Sequence, residues 1–399
     1  MRTRVNSYRA LVIFGIVLHM LVAVAVWWHL RQYEGVLPAS DESYNLGNAD
    51  RLVTEWRQGR APNWDEITTS ETNPGYYYLL AGARLAGIEH LLGLRLINVL
   101  AGLAAIWLWR RAMLANGEPP ATARFFAVAA LLIPSLALWS TLLLKEAVVY
   151  ALVAAHVLVL ARVIAASRVA VRDIVFFAAT LLALSYFRNY ASLLLLGLSA
   201  VVIARAKGPA TALAFAACAA AALLLFNPYV LMLVGYKLWG EAVRIRFFDW
   251  IAGNAELITG GPKSGSFGPP IAITNLETGI GGSAIAPGVP LWEKLWLFLS
   301  FPLPWQAQSA LQRLASPEVV LFLLSLPVAI AGVIVKLRQR DLFAIYVVAL
   351  SVAVAAMYIV MINNLGTLYR IKSSLMFAYV YFAAIGAHAI SLRLRGART

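Results

Sequence analysis

Cysteine is almost missing from this chain: Cys218 stands alone among 399 residues, inside an alanine-rich apolar run. Neither a disulfide framework nor a thiolate metal cluster can hold such a fold together. Charge is scarce too, at 13% of residues against 61% hydrophobic, far outside the composition of soluble domains. The signatures of several soluble chemistries are also missing. There is no Gly-x-x-x-x-Gly-Lys-Ser/Thr loop, no Gly-x-Ser-x-Gly elbow, no His-Glu-x-x-His pair and no Gly-x-Gly-x-x-Gly fingerprint, so the motif-borne forms of nucleotide, serine-hydrolase and zinc-protease chemistry are not encoded here. His19, His29, His90, His156 and His388 fall in different segments, which argues against a histidine metal site.

What fills the chain instead is a series of apolar runs, each long enough or nearly so to cross about 30 Å of hydrocarbon as a helix. Ten spans are expected: Leu11–Trp28, Leu94–Trp109, Phe125–Trp139, Ala147–Val163, Ile174–Tyr186, Ala191–Ala204, Ala210–Phe226, Val319–Val335, Leu342–Met361 and Leu375–Ile390. The first follows three arginines like a signal peptide, but it lacks a small-residue cleavage site and ends in Trp27-Trp28, so it reads as a retained helix. The expected fold class is therefore all-α, a polytopic membrane protein of about ten transmembrane helices forming one transmembrane domain over residues 1–399.

The net charge of +14 does not point to nucleic acid, because the basic residues are scattered through short loops and not gathered on one face. Topology explains them. Arg2, Arg4 and Arg9, Arg110-Arg111 with Arg124, Arg162 with Arg168 and Arg172, Arg205 with Lys207, Lys336 with Arg338 and Arg340, and Arg393 with Arg395 and Arg398 all fall on one side of a ten-span path. The acids sharing these segments are Glu118, Asp173 and Asp341. The positive-inside rule makes that side, with both termini, cytoplasmic. In a bacterium this is the inner membrane, with the other side facing the periplasm.

Two long loops lie on that outer side, residues 29–93 and 227–317, and both are too long to be simple connectors. The first carries helical patterns around Tyr44–Gln58 and Tyr76–His90, the latter apolar enough to lie in the interface. The second holds an aromatic, basic stretch at Tyr236–Trp250, a Gly/Pro/Ser-rich segment from Gly260 to Pro290, and an interfacial aromatic stretch at Leu291–Trp305.

Candidate chemistry gathers on that face. Asp41-Glu42, just past the first span, offers carboxylates near the membrane surface; Asp41 suits a base that accepts the proton of an incoming hydroxyl or amine, and Glu42 either assists or holds a neighbouring helix. Lys145-Glu146 closes the third span, where the lysine can neutralise a lipid-linked phosphate and Glu146 can set its position. Arg188, followed by Asn189 and Tyr190, and Arg370 sit at outer helix ends, where planar guanidinium forks bind phosphate through paired hydrogen bonds. Lys372 reads as an anchor snorkelling to head groups. Cations around one anionic head group stabilise a departing phosphate.

Three stretches resemble the GT-C superfamily of polytopic glycosyltransferases, in the branch of the protein O-mannosyltransferases and the lipid A aminoarabinose transferase. Asp41-Glu42-Ser43-Tyr44 is similar to their first-loop acidic motif. Asn73-Pro74-Gly75-Tyr76-Tyr77-Tyr78-Leu79-Leu80, leading to Gly93-Leu94-Arg95-Leu96, resembles a later proline and aromatic element. Phe301-Pro302-Leu303-Pro304-Trp305 and Asn364-Leu365-Gly366-Thr367-Leu368-Tyr369-Arg370 resemble stretches of bacterial relatives. The resemblance implies transfer of a sugar from a polyprenyl-phosphate carrier to a cell-envelope glycan, lipid or protein acceptor on the outer face, with Asp41 as base and Tyr44, Asn73, Tyr76 and Tyr77 near the substrates. No Asp-x-Asp stands in the outer loops, so the metal arrangement of the superfamily's oligosaccharyltransferase branch is not carried over; a divalent ion remains compatible with the chemistry, and no other cofactor is expected. A lipid-linked polysaccharide polymerase or ligase would need the same site. A flippase or transporter would instead place charge near mid-span.

Overall fold

A computed structural model describes residues 2–32, 40–59, 74–226, 289–307, 310–361 and 365–396. Among them every element of regular structure is a helix: α1 (Arg2–Gln32), α2 (Ser40–Arg57), α3 (Gly75–Leu85), α4 (Leu91–Ala115), α5 (Pro120–Leu131), α6 (Pro134–Thr141), α7 (Glu146–Ala165), α8 (Val171–Phe187), α9 (Asn189–Lys207), α10 (Pro209–Phe226), α11 (Leu291–Ser300), α12 (Ala310–Arg338), α13 (Leu342–Met361) and α14 (Leu365–Gly396). Eight of the described helices are long and apolar enough to cross a membrane, and the bent pair α5–α6 makes a ninth. The protein is a polytopic all-α membrane protein. Nine of the ten expected spans coincide with a candidate membrane helix, counting the α5–α6 pair as one; the tenth, Ile174–Tyr186, falls on α8, which at 17 residues is too short to be counted among them.

Local sequence sets the helix ends. Pro120 and Pro134 open α5 and α6, where a missing N–H costs nothing. The expected helix over Tyr76–His90 stops at Leu85, where Gly87 turns the chain at φ 88°, and the His90 ring accepts from the Leu92 N–H at the start of α4. Gly208 turns the chain between α9 and α10 at φ 90°, a conformation that favours glycine. Basic side chains occupy the last turns of α9, α12 and α14, complementing the helix dipoles. The helix expected across Leu291–Trp305 ends at Ser300, because Pro302 and Pro304 cannot continue it. Tyr236–Trp250 and most of the Gly260 to Pro290 segment lie outside the described residues.

Helices α4 and α7 run side by side at the centre, α8, α9 and α10 form one flank, and α12 and α14 pack lengthwise on the other. With no hydrophobic drive between helices in lipid, close backbone approach supplies much of the association. At the α12–α14 crossing a Cβ on Gly332 would fall far inside contact distance of the Phe382 carbonyl, and one on Gly386 would do the same to that of Val328. Gly102 similarly admits Ser140, bringing α6 onto α4. Where α5 and α6 bend by 60°, His19 of α1 reaches the Leu131 carbonyl at 3.2 Å and the Ser140 hydroxyl at 3.3 Å, satisfying polar groups that lipid could not. Large apolar side chains such as Val201, Leu213 and Leu324, each more than two-thirds exposed, face outward as lipid-facing positions should.

Charge sits at both ends of this bundle. At one end, Lys336 near the end of α12 bridges Glu118, in the α4–α5 turn, and Asp341, 3.0 Å away before α13. Tyr381 of α14 donates to Glu118, and Asn116 to Asp341.

Gly386→Ala should lower thermal stability in detergent by about 1–3 kcal/mol, the usual cost of overpacking. Gly197→Ala, where added carbon meets nothing within 4 Å, should not, and equal melting of both variants would contradict the crossing.

Candidate functional site

The opposite end holds the polar groups that matter. It is built around residues 142–145, a short non-helical segment between α6 and α7. Such a segment leaves backbone carbonyls and amides without helical partners, and in a buried setting side chains must supply them. Asn45 of α2 donates to the Leu143 carbonyl at 2.9 Å. Asn98 of α4 donates to the carbonyls of Leu142 and Leu144, at 2.5 and 2.9 Å, and to the Tyr76 hydroxyl at 2.8 Å. Arg95, one turn above Asn98, donates to the Thr141 carbonyl at 2.8 Å.

Arg95 also forms a bidentate pair with Glu42, Nη1 to Oε1 at 3.1 Å and Nη2 to Oε2 at 2.7 Å, and both side chains are fully buried. The Leu143 N–H donates to the same Glu42 Oε1 at 3.0 Å. Glu42 thus fastens α2 to α4 and to the 142–145 segment together. Asp41 precedes it in the first turn of α2, and its side chain lies outside the described residues, as do Asn73 and the Asn363-Asn364 pair. Tyr44 meets Tyr77 edge-on, ring centroids 6.0 Å apart, and Tyr76 and Tyr77 are both buried under α2. Burial pushes the Tyr76 hydroxyl well above its ordinary pKa, so it stays neutral.

Three residues beyond Leu143, Glu146 opens α7, where the helix dipole favours a carboxylate. It is 2% exposed. Its Oε1 takes Arg188 Nη2 at 2.7 Å and lies 3.3 Å from Arg370 Nε. Arg188 sits at the α8–α9 junction and donates also to the hydroxyls of Tyr358, at 2.5 Å, and Tyr190, at 3.2 Å, which bond each other at 2.5 Å. Burial works against its charge, yet Tyr358, Tyr190 and Glu146 outweigh that and hold its pKa well above the ordinary value. Tyr150 of α7 bonds Ser373 and donates to the Arg370 carbonyl at 3.4 Å. Lys145 occupies the N-cap position beside Glu146, and Asn189 begins α9, its carbonyl accepting from Ser192. Four groups expected from the sequence, Glu146, Arg188, Tyr190 and Arg370, therefore meet in one cluster. A three-residue step spans at most about 11 Å, so Glu42's anchor point and this cluster are neighbours.

Lys372 behaves differently from the snorkelling anchor expected of it. It is 3% exposed, and its ammonium donates to the Leu299 and Phe301 carbonyls at 3.2 and 3.0 Å, between the rings of Phe322 and Tyr369. The end of α11 supplies acceptors that make head groups unnecessary. Nearby, Glu318 of α12 takes the Ser135 N–H and hydroxyl at 2.7 and 2.6 Å. Arg95, Glu318 and Lys372 lie within helices long enough to span, so these spans carry more charge than their sequences first suggest. All sit near the starts of their candidate spans, which begin at Leu91, Ala315 and Tyr369: Arg95 is about 6 Å along α4 from Leu91 at 1.5 Å per residue.

Among the described residues no group of three or more His, Cys, Asp or Glu could hold a metal ion. No protein-family model matches the chain, and no curated protein matches it significantly.

Removing one partner of the Glu42–Arg95 pair should cost about 3–5 kcal/mol by stranding a buried charge. Glu42→Leu with Arg95→Met together should recover much of that loss, as unfolding of the purified variants can measure; additive losses would mean the pair does not act as a unit.

Proposed function

We propose that this protein is a membrane-embedded glycosyltransferase that takes a sugar from a polyprenyl-phosphate carrier. One observation carries the proposal. The helix bearing Asp41 is fastened by Glu42 to Arg95 and Leu143, and the same short segment leads into Glu146, on which Arg188 and Arg370 converge. An acidic motif suited to deprotonating an acceptor and a guanidinium cluster suited to a phosphate thus share one end of the bundle, which is what transfer from a phosphate-linked donor requires. The resemblance of the Asp41-Glu42-Ser43-Tyr44 stretch to GT-C enzymes supports the same reading.

In this mechanism Asp41 accepts the proton of the acceptor's hydroxyl or amine as that atom attacks the anomeric carbon. The bond from anomeric carbon to phosphate oxygen breaks, and the phosphate leaves on the lipid carrier. Arg188 and Arg370 offset the charge that develops on it. Glu146 and the hydroxyls of Tyr190 and Tyr358 hold the Arg188 fork in place before the donor arrives. A placement of buried charge near the helix ends, not at mid-span, favours chemistry at the surface over passage through the bundle. The site faces the periplasm of a bacterial inner membrane, because the other end carries the basic loops.

Asp41→Asn should abolish transfer from a labelled polyprenyl-phosphate sugar while the variant elutes as folded protein; persisting turnover would remove Asp41 from the base role. Arg188→Ala should weaken donor binding about 10- to 100-fold, the size of one lost charged hydrogen bond, and unchanged affinity would remove it from the donor site. In a Cys218→Ser background, Glu89→Cys should react with a membrane-impermeant maleimide in intact cells and Arg340→Cys should not; the reverse pattern would invert the orientation.

A further inference from the structure

Within the Glu146 cluster the buried Glu146 Oε2 and Arg188 Nε are without a hydrogen-bond partner. Oε1 of Glu146 receives Arg188 and lies beside Arg370, while Oε2, equally buried, has no hydrogen-bond partner. A buried carboxylate oxygen has two lone-pair sites, and leaving both empty is costly. The two terminal nitrogens of Arg188 point to Oε1, Tyr358 and Tyr190, leaving its Nε as a spare donor, and Tyr150 points to Ser373 and the Arg370 carbonyl. The guanidiniums call for an anion and the spare oxygen calls for a hydrogen-bond donor. Tyr190, 40% exposed, joins this cluster to the surface.

We infer that Glu146 Oε2 accepts a hydroxyl of the ligand whose phosphate faces Arg188 and Arg370, so that the site selects a phosphate carrying a hydroxylated group over a bare phosphate. This rests on the donor-site reading and adds the part of the donor that Glu146 recognises. Glu146 then acts as a specificity residue. It favours the hydroxylated group through a charge-assisted hydrogen bond and disfavours bare lipid phosphate by repulsion, a combination of attraction and exclusion typical of discriminating sites. For a transferase this has a use: the spent carrier, which keeps the phosphate and loses the sugar, binds less well than the loaded one.

The test uses the full-length protein in lipid nanodiscs and measures binding of polyprenyl phosphate, of polyprenyl-phosphate hexoses, and of monodeoxy analogues of the hexose bound best. Wild type should prefer the sugar-bearing lipid, and loss of one particular hydroxyl should weaken binding about tenfold, the scale of one such bond. In Glu146→Gln the ratio of sugar-bearing to bare lipid affinity should fall about tenfold, with bare polyprenyl phosphate bound at least as tightly as by wild type. An unchanged ratio, or a wild-type series in which no single hydroxyl matters, would overturn the inference while leaving the donor site standing. The deoxy series needs no variant, so it decides the matter even where Glu146→Gln fails to fold. Wild type binding neither lipid, or binding phosphatidylglycerol as well as the sugar-bearing lipid, would overturn the donor-site reading along with it.

Discussion

The fully buried pair between Glu42 and Arg95 is the constraint around which this end of the molecule is arranged. A membrane protein cannot leave a charge unpaired in its interior, and it cannot leave a broken backbone segment unsatisfied. Here one carboxylate answers both demands. It neutralises the Arg95 guanidinium through two hydrogen bonds and takes the Leu143 amide on Oε1. Arg95 in turn caps the Thr141 carbonyl, so the end of α6, the start of α4 and the surface helix α2 are set by a single constellation. Whatever Asp41 does, its position follows from that of its neighbour.

The 142–145 segment then acts as the connection between two kinds of chemistry. On one side it is held by Asn45, Asn98 and Glu42; on the other it delivers Glu146 to the first turn of α7 with two arginines around it. Buried amides and hydroxyls here act as structural supports for charged groups, an arrangement that suits electrostatic work because few of them need to move when a charged ligand arrives. The bundle that carries this end is assembled by backbone proximity at Gly332 and Gly386, since lipid provides no hydrophobic reward for bringing helices together.

Much of this was legible in the sequence. Apolar run length located each membrane helix, and the alternation of crossings put Glu146, Arg188, Tyr190 and Arg370 on one face. Which of them touch is a matter of helix rotation and depth, to which crossing parity is blind, so the convergence of two arginines on one glutamate was not readable. Arg95 and Asn98 escaped for another reason: inside a run as apolar as Leu94–Trp109 they look like isolated polar intrusions. Their three-residue spacing puts both on one helical face, and a charged residue within a span marks a buried partner by default, which is the signal that would have found them. Lys372 was misread because snorkelling assumes that the nearest acceptors are head groups, whereas the end of α11 brings two carbonyls to it. The break between α5 and α6 was invisible as such, although Pro134 marks where it falls.

The ionic knot of Lys336, Glu118 and Asp341 at the far end has a mechanical consequence. It ties the α4–α5 turn to α12 and to the start of α13, while Tyr381 brings α14 into the same knot. Because the knot lies at the end away from Glu146, it fixes the relative placement of these helices without drawing on any group of the candidate site.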